Sequence, residues 1–89
     1  MIGSQDAALK LRLKEMIIEE CEKDEITPEQ IADDIELFSD ASGLELDSLD
    51  ALQISMGLQT QFKIRLADSK DFRRVVTTIN ALADYVQPE

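Results

Sequence analysis

The residues best suited to chemistry are the Ser48 hydroxyl and two nearby carboxylates, in the stretch Leu-Asp-Ser-Leu-Asp-Ala-Leu at residues 46–52. Asp47 stands where an apolar helix is expected to begin, so it can cap that helix and leave Ser48 at the first helical position. Free backbone N–H groups and the positive end of the helix dipole favour an anion there, which suits a covalently attached phosphate. The alternative is that Ser48 is itself only a cap. With no histidine or lysine base beside it, Ser48 is a poor nucleophile, so we expect any modification to be made by another enzyme.

The residue types that the chain lacks exclude most catalytic chemistry. There is no histidine, which rules out histidine-based triads, histidine general bases and histidine metal sites. The single cysteine, Cys21, cannot form a thiolate metal cage or a redox pair. The acidic segment from Asp33 to Asp40 lacks the ligand spacing and central glycine of an EF-hand calcium loop. Because so small a domain also has little room for a substrate cleft, we predict a protein that is not an enzyme and binds no metal.

The negative charge is concentrated in the first half of the chain. The net charge is −10, and residues 15–50 hold 14 of the 19 acidic residues with one base, Lys23. Phosphate repulsion argues against a nucleic-acid partner. A basic partner protein would be steered towards the acidic region, although a solubilising acidic surface without a partner explains the charge equally well.

Composition and length favour one small all-α domain over residues 1–89. Apolar residues make up 44% of the chain and aromatic residues only 4%, which favours helices over a β-sandwich. No apolar run is long enough to cross a membrane, and the N-terminus lacks a secretory signal. The lone cysteine suits a reducing compartment. We predict a cytoplasmic monomer that does not insert into membranes.

Helical periodicity and capping signals predict a small bundle of three main helices and one short helix, with a long loop between the first two. The predicted helices cover residues 5–21, 48–62, a short turn near 68–74, and a last helix that starts at Thr77 or Thr78 and ends before Pro88. Within the long loop, residues 23–46, Thr27 followed by Pro28 reads as a local helix start. We expect the loop to be pinned by Ile31, Ile35, Leu37 and Phe38, the rings of Phe38, Phe62 and Phe72 to lie in the core, and Cys21 to be buried.

The second helix carries two apolar stripes on nearly opposite faces. Ala51, Ile54, Ser55, Leu58 and Phe62 form the first stripe, and Leu49, Leu52 and Met56 form the second. A helix at the surface of a bundle needs one buried stripe. The second stripe is either covered by the long loop or left exposed for a partner, and it starts directly beside Ser48.

Asp47-Ser48-Leu49-Asp50, opening a helix after a long loop in a small acidic domain, resembles the modification site of acyl carrier proteins. The resemblance spans about residues 7–86 and extends to Phe62, Thr77-Thr78 and Ala83-Asp84-Tyr85-Val86. It implies that Ser48 bears 4′-phosphopantetheine, transferred from coenzyme A by a phosphopantetheinyl transferase. It also implies that the chain carries acyl thioesters between an acyl- or malonyl-transferase, a ketosynthase and related fatty-acid or polyketide-type enzymes. The expected docking residues are Asp47, Leu49, Asp50, Leu52 and Met56.

The chain departs from this family in the charge of its second helix. Fatty-acid carriers usually have acidic residues along this helix, but here no acid occurs between Ala51 and Ala67. The usual glycine two residues before the aspartate is Glu45, and Arg73 and Arg74 are basic where the family is often acidic. These differences predict a specialised carrier. The alternatives are a peptidyl or D-alanyl carrier and an unmodified helical interaction module.

Overall fold

The computed structural model describes residues 2–66 and 69–88, and four α-helices form its frame: α1 Ala7–Glu20, α2 Ser48–Phe62, α3 Ser69–Val75 and α4 Ile79–Val86. Short 3-10 turns occur at Gly3–Gln5, Pro28–Gln30 and Asp40–Ser42. No strand is present in the described ranges. The predicted all-α bundle, with its long connection between the first two helices, is therefore confirmed. None of the helices within these ranges has the length and apolarity needed to cross a bilayer.

Helix α1 begins two residues later than predicted, because Asp6 rather than an earlier residue caps it. The Asp6 carboxylate accepts the Leu9 N–H at 3.2 Å, and Gln5 belongs to the preceding 3-10 turn. That turn is fixed to the end of α4, since the Gly3 N–H donates to the Gln87 carbonyl at 2.7 Å. Gly3 has no room for a side chain there, because an added Cβ would collide with the α4 backbone. The N-terminal segment is thus part of the packed structure.

The predicted bounds of α2 are confirmed at both ends. The predicted short helix is α3, which ends one residue later than expected, while Asp68 lies outside the described residues. Thr78 is the cap of α4, and its hydroxyl accepts the Ala81 N–H at 3.0 Å. Capping side chains therefore define the starts of three of these helices.

The core lies where α1 packs against α2 and α4. Its fully buried side chains include one stripe of each of these helices; among them are Leu13, Ile17, Ile54, Leu58, Ile79 and Leu82. Gly57 lets α1 and α2 approach closely, since a Cβ at this position would come within 2.6 Å of Met16 Sδ. The apolar periodicity of the sequence thus predicts the inward faces correctly.

The long connection is tied to the bundle by hydrogen bonds and by an ion-pair cluster. The Leu37 N–H donates to the Thr77 carbonyl at 2.8 Å. Asp33 contacts Lys10 Nζ at 2.9 Å and Lys14 Nζ at 2.7 Å. The Lys14 contact, followed by Lys10, holds the pKa of the Asp33 carboxyl below its ordinary value against the opposing effect of burial. These ties hold the connection against α1 and against the link between α3 and α4.

Two side-chain expectations for this region are wrong. Phe38 was expected in the core but is 39% exposed, because its neighbour Leu37 takes the buried position and directs the ring outward. The Phe38 ring instead contacts Phe72 edge to face, with ring centroids 5.9 Å apart. Cys21, expected to be buried, is only half-buried because it lies at the end of α1.

Candidate functional site

At the start of α2, Asp47 is the cap and Ser48 is the first helical residue, as the sequence predicts. Asp47 Oδ1 accepts the Asp50 N–H at 3.0 Å, and Asp50 Oδ2 accepts the Asp47 N–H at 3.1 Å. This reciprocal capping box satisfies two backbone donors. Ser48, at the first helical position, is exposed and does not take part in the box. Its hydroxyl is therefore accessible at a helix N-terminus, where the dipole favours an anion.

Asp50 is held from behind by the end of α1. Its side chain is largely covered, and its Oδ2 lies 4.0 Å from Lys23 Nζ. The Cys21 thiol donates to the Asp50 backbone carbonyl, with the sulfur 3.8 Å from the oxygen. Burial, followed by the negative charge of Asp50, raises the pKa of the Cys21 thiol to about 12. The sequence predicts Asp50 as a docking residue but does not predict its contacts with Lys23 and Cys21. These two contacts fix the first turn of α2 against the end of α1.

The chain enters α2 through two residues in the left-handed backbone region. Gly43 has φ of 73°, and Glu45 has φ of 53°. A side chain disfavours this conformation, whereas glycine adopts it freely. Glu45 therefore adopts this conformation at the expense of local strain, at the position where the resemblance to acyl carrier proteins leads us to expect glycine.

The second apolar stripe of α2 is exposed. Leu49 is 70%, Leu52 is 57% and Met56 is 51% exposed, and we call these three residues the apolar row. The long connection does not cover them, so the first of the two alternatives that the sequence left open is excluded, and a role in docking stays a prediction. Exposed neighbours of the row on the same helix, such as Gln53 and Gln59, are uncharged. The row is thus an apolar surface with acidic residues only at its Ser48 end.

A pocket of about 680 Å³ opens beside Ser48. Its size falls within the range of about 300–1,000 Å³ that is typical of small-ligand sites. The wall is formed by the connection, α2, the segment after α2, α3 and the residues that follow it. It is lined by Glu36, Phe38, Leu46, Asp47, Ser48, Ala51, Leu52, Ser55, Leu66, Phe72, Arg73, Val76 and Thr77. Three of the predicted site residues, Asp47, Ser48 and Leu52, therefore lie together in the lining of this pocket.

Most of the pocket could not be predicted from the sequence, because its wall combines the five parts of the chain just described. One signal was available: Ser55 follows Ser48 by seven residues, which places both on nearly the same side of a helix. No such signal identified Arg73 or Thr77. Among residues 2–66 and 69–88, no group of three or more potential ligands could hold a metal ion.

Residues 12–86 match a protein family described as "Phosphopantetheine attachment site". The match covers most of the chain, and the protein belongs to this family of phosphopantetheine carriers. It is a non-catalytic carrier whose prosthetic group is covalent 4′-phosphopantetheine. A phosphopantetheinyl transferase installs the group, and biosynthetic enzymes are the carrier's partners.

The start of α2 fits a phosphodiester. The N–H groups of Ser48 and Leu49 are the first-turn donors that the capping box leaves unused. Exposure of the Ser48 hydroxyl gives a transferase access to it. When bound, the prosthetic group supplies a thiol that holds the carrier's cargo as a thioester. The residues that would hold its phosphate are Ser48, through its hydroxyl, and Leu49, through its backbone N–H.

Proposed function

We propose that Ser48 is the attachment residue and that the protein carries acyl intermediates for fatty-acid or polyketide-type enzymes. The strongest support is that Ser48 has an exposed hydroxyl, stands at a helix N-terminus and lies at the edge of an apolar pocket. The pocket has room for part of an acyl chain and is lined largely by apolar side chains. A carrier of acyl groups would use both features.

Intact-mass measurement tests the attachment residue. Incubation with coenzyme A and a broad-specificity phosphopantetheinyl transferase should add the mass of one phosphopantetheine group. Ser48→Ala should gain nothing, whereas the matched control Ser39→Ala should gain the full group. Modification of Ser48→Ala would refute the assignment.

We also propose that Asp47, Asp50 and the apolar row form the docking surface for partner enzymes. Leu49 supports this because a large apolar side chain that is mostly exposed gains contact area only when a partner covers it. Leu49→Ala should slow modification by the transferase without lowering the melting temperature. Leu11→Ala removes an exposed leucine from α1 instead and should leave the rate unchanged. Equal rates for the two variants would contradict the docking role of the row.

The uncharged surface along α2 supports a specialised carrier rather than one that serves general fatty-acid synthesis. Partner enzymes that recognise acidic helices would find acids only at Asp47 and Asp50. We expect the general malonyl transferase of the host to load the modified protein poorly. Loading as efficient as that of the host's main carrier would contradict specialisation. Loading of an amino acid or D-alanine by an adenylating enzyme would instead favour a peptidyl or D-alanyl carrier.

A further inference from the structure

Two hydroxyl groups interrupt the apolar wall of the pocket beside Ser48. They belong to Ser55 on α2 and to Thr77 in the link between α3 and α4. Both side chains are half-buried, and in the part of the chain that the structure describes neither hydroxyl forms a hydrogen bond with another residue. A saturated chain in the pocket would displace water from these hydroxyls and replace none of its hydrogen bonds, which is unfavourable. A chain with its own oxygen could replace them.

Ser55 lies where a cargo attached near Ser48 can reach it. The two residues are seven positions apart on α2, which corresponds to about 10 Å along the axis and to nearly the same direction from it. Thr77 is held in the pocket wall by its backbone carbonyl, which accepts the Leu37 N–H at 2.8 Å. Both hydroxyls are therefore on well-anchored backbone, one in a helix and one fixed to the connection.

The charges around the pocket favour a neutral cargo. Glu36 and Asp47 contribute two carboxylates to the lining, and Arg73 contributes one guanidinium. A cargo with a carboxylate would meet more negative than positive charge, whereas a hydroxyl or keto oxygen would be indifferent to this balance. The pocket groups that distinguish one neutral cargo from another are therefore the uncharged hydroxyls of Ser55 and Thr77.

Resting on the proposed carrier function, we propose that this pocket selects acyl chains that bear a hydroxyl or keto oxygen over saturated chains of the same length. The Ser55 and Thr77 hydroxyls donate to or accept from that oxygen. Partner enzymes would accordingly be those that make or consume partly reduced acyl chains. The reaction class that supplies such a cargo is condensation or keto reduction without complete removal of the oxygen.

Direct loading of acyl chains tests this selection without any partner synthase. The broad-specificity transferase is supplied with octanoyl-coenzyme A, 3-hydroxyoctanoyl-coenzyme A or 5-hydroxyoctanoyl-coenzyme A, and intact mass confirms each product. At least one hydroxylated form should melt about 4–8 °C above the octanoyl form, as one net hydrogen bond produces in a domain of this size. The amide resonances of Ser55 and Thr77 should shift between those two forms.

Variants show whether the two hydroxyls cause the difference. The double variant Ser55→Ala with Thr77→Val should remove the difference, and its octanoyl form should be at least as stable as before relative to its own unloaded protein, because the chain no longer leaves two hydroxyls without partners. Thr60→Val is the matched control, because Thr60 is on α2 outside the pocket, and it should keep the difference. Equal melting of all three loaded forms, or a difference that survives the double variant, would overturn the selection. Absence of any mass gain would instead refute the carrier assignment of Ser48, so the two failures are distinguishable.

Discussion

Replacing Asp47 by alanine or by asparagine separates its capping role from its proposed docking role. Asp47 Oδ1 accepts the Asp50 N–H at 3.0 Å, and loss of one such cap costs about 1 kcal/mol. The reciprocal bond uses the Asp47 backbone N–H and survives both substitutions. Asp47→Ala should therefore lower the melting temperature by about 4–8 °C. Asp47→Asn keeps an acceptor oxygen, so its stability should change by only about a few tenths of a kcal/mol.

The modification rate should respond differently from the stability. Asp47→Asn removes an exposed charge from the surface that the transferase approaches, which should slow modification about 2- to 5-fold at low salt. The difference should shrink at high salt, because screening weakens surface charges. Thermal unfolding followed by circular dichroism gives the stability, and intact mass at early times gives the rate. Asp34→Asn removes the same charge from the connection and serves as the control.

Two results would refute this reasoning. A melting temperature of Asp47→Asn as low as that of Asp47→Ala would mean that the charge of Asp47, and not its hydrogen bond, stabilises the helix start. A rate of Asp47→Asn equal to that of the unchanged protein at low salt would mean that Asp47 does not steer the transferase. In that case docking would rest on the apolar row.

Four further predictions concern stability and reactivity. Glu45→Gly should raise the free energy of unfolding by about 0.5–1 kcal/mol in urea titrations, because relief of left-handed strain exceeds the added flexibility of the unfolded chain; a decrease would contradict this. Gly3→Ala should destabilise by about 1–3 kcal/mol and expose the Gly3 amide to hydrogen exchange, since the added Cβ collides with α4. Cys21 should react with iodoacetamide at pH 8 about a thousandfold more slowly than in urea, because its pKa is raised to about 12 from 9.0. The contact with Lys14 lowers the pKa of Asp33 from 3.8 in the folded protein. The stability that Asp33 contributes is therefore fully present above pH 3.8 and is lost as the pH falls through its pKa in the folded state. Asp33→Asn should make the free energy of unfolding less dependent on pH in this acidic range.

Local signals in the sequence predict the site's central helix well. Asp47 and Asp50 stand three residues apart at the start of α2, and this spacing allows a capping box whatever surrounds it. Apolar periodicity then assigns the inward stripe with Ile54 and Leu58, because a helix fixes the direction of each side chain. The start of α2 and its inward face follow from these two rules alone, but its end at Phe62 does not.

Features that depend on how separate segments meet could not be predicted. Leu37 and Phe38 are adjacent and both apolar, and which of them turns inward depends on contacts that form only in the folded bundle, such as the hydrogen bond from the Leu37 N–H to the Thr77 carbonyl. Lys23 contacts Asp50 only because α1 and α2 pack together. The pocket likewise requires the connection, α2 and α3 in their final places, so apart from the seven-residue spacing of Ser48 and Ser55 the sequence contains no signal of it.

The pocket wall contains no residue of α1 or α4, although these two helices supply much of the core. Positions such as Ser55, Thr77 and Arg73 can therefore be exchanged without altering the contacts between α1, α2 and α4 that hold the bundle together. A lineage of such carriers could acquire new cargoes by drift in the wall while keeping the same buried core. A protein engineer could reprogram cargo choice in the same way, by varying the wall in a library and leaving the frame untouched.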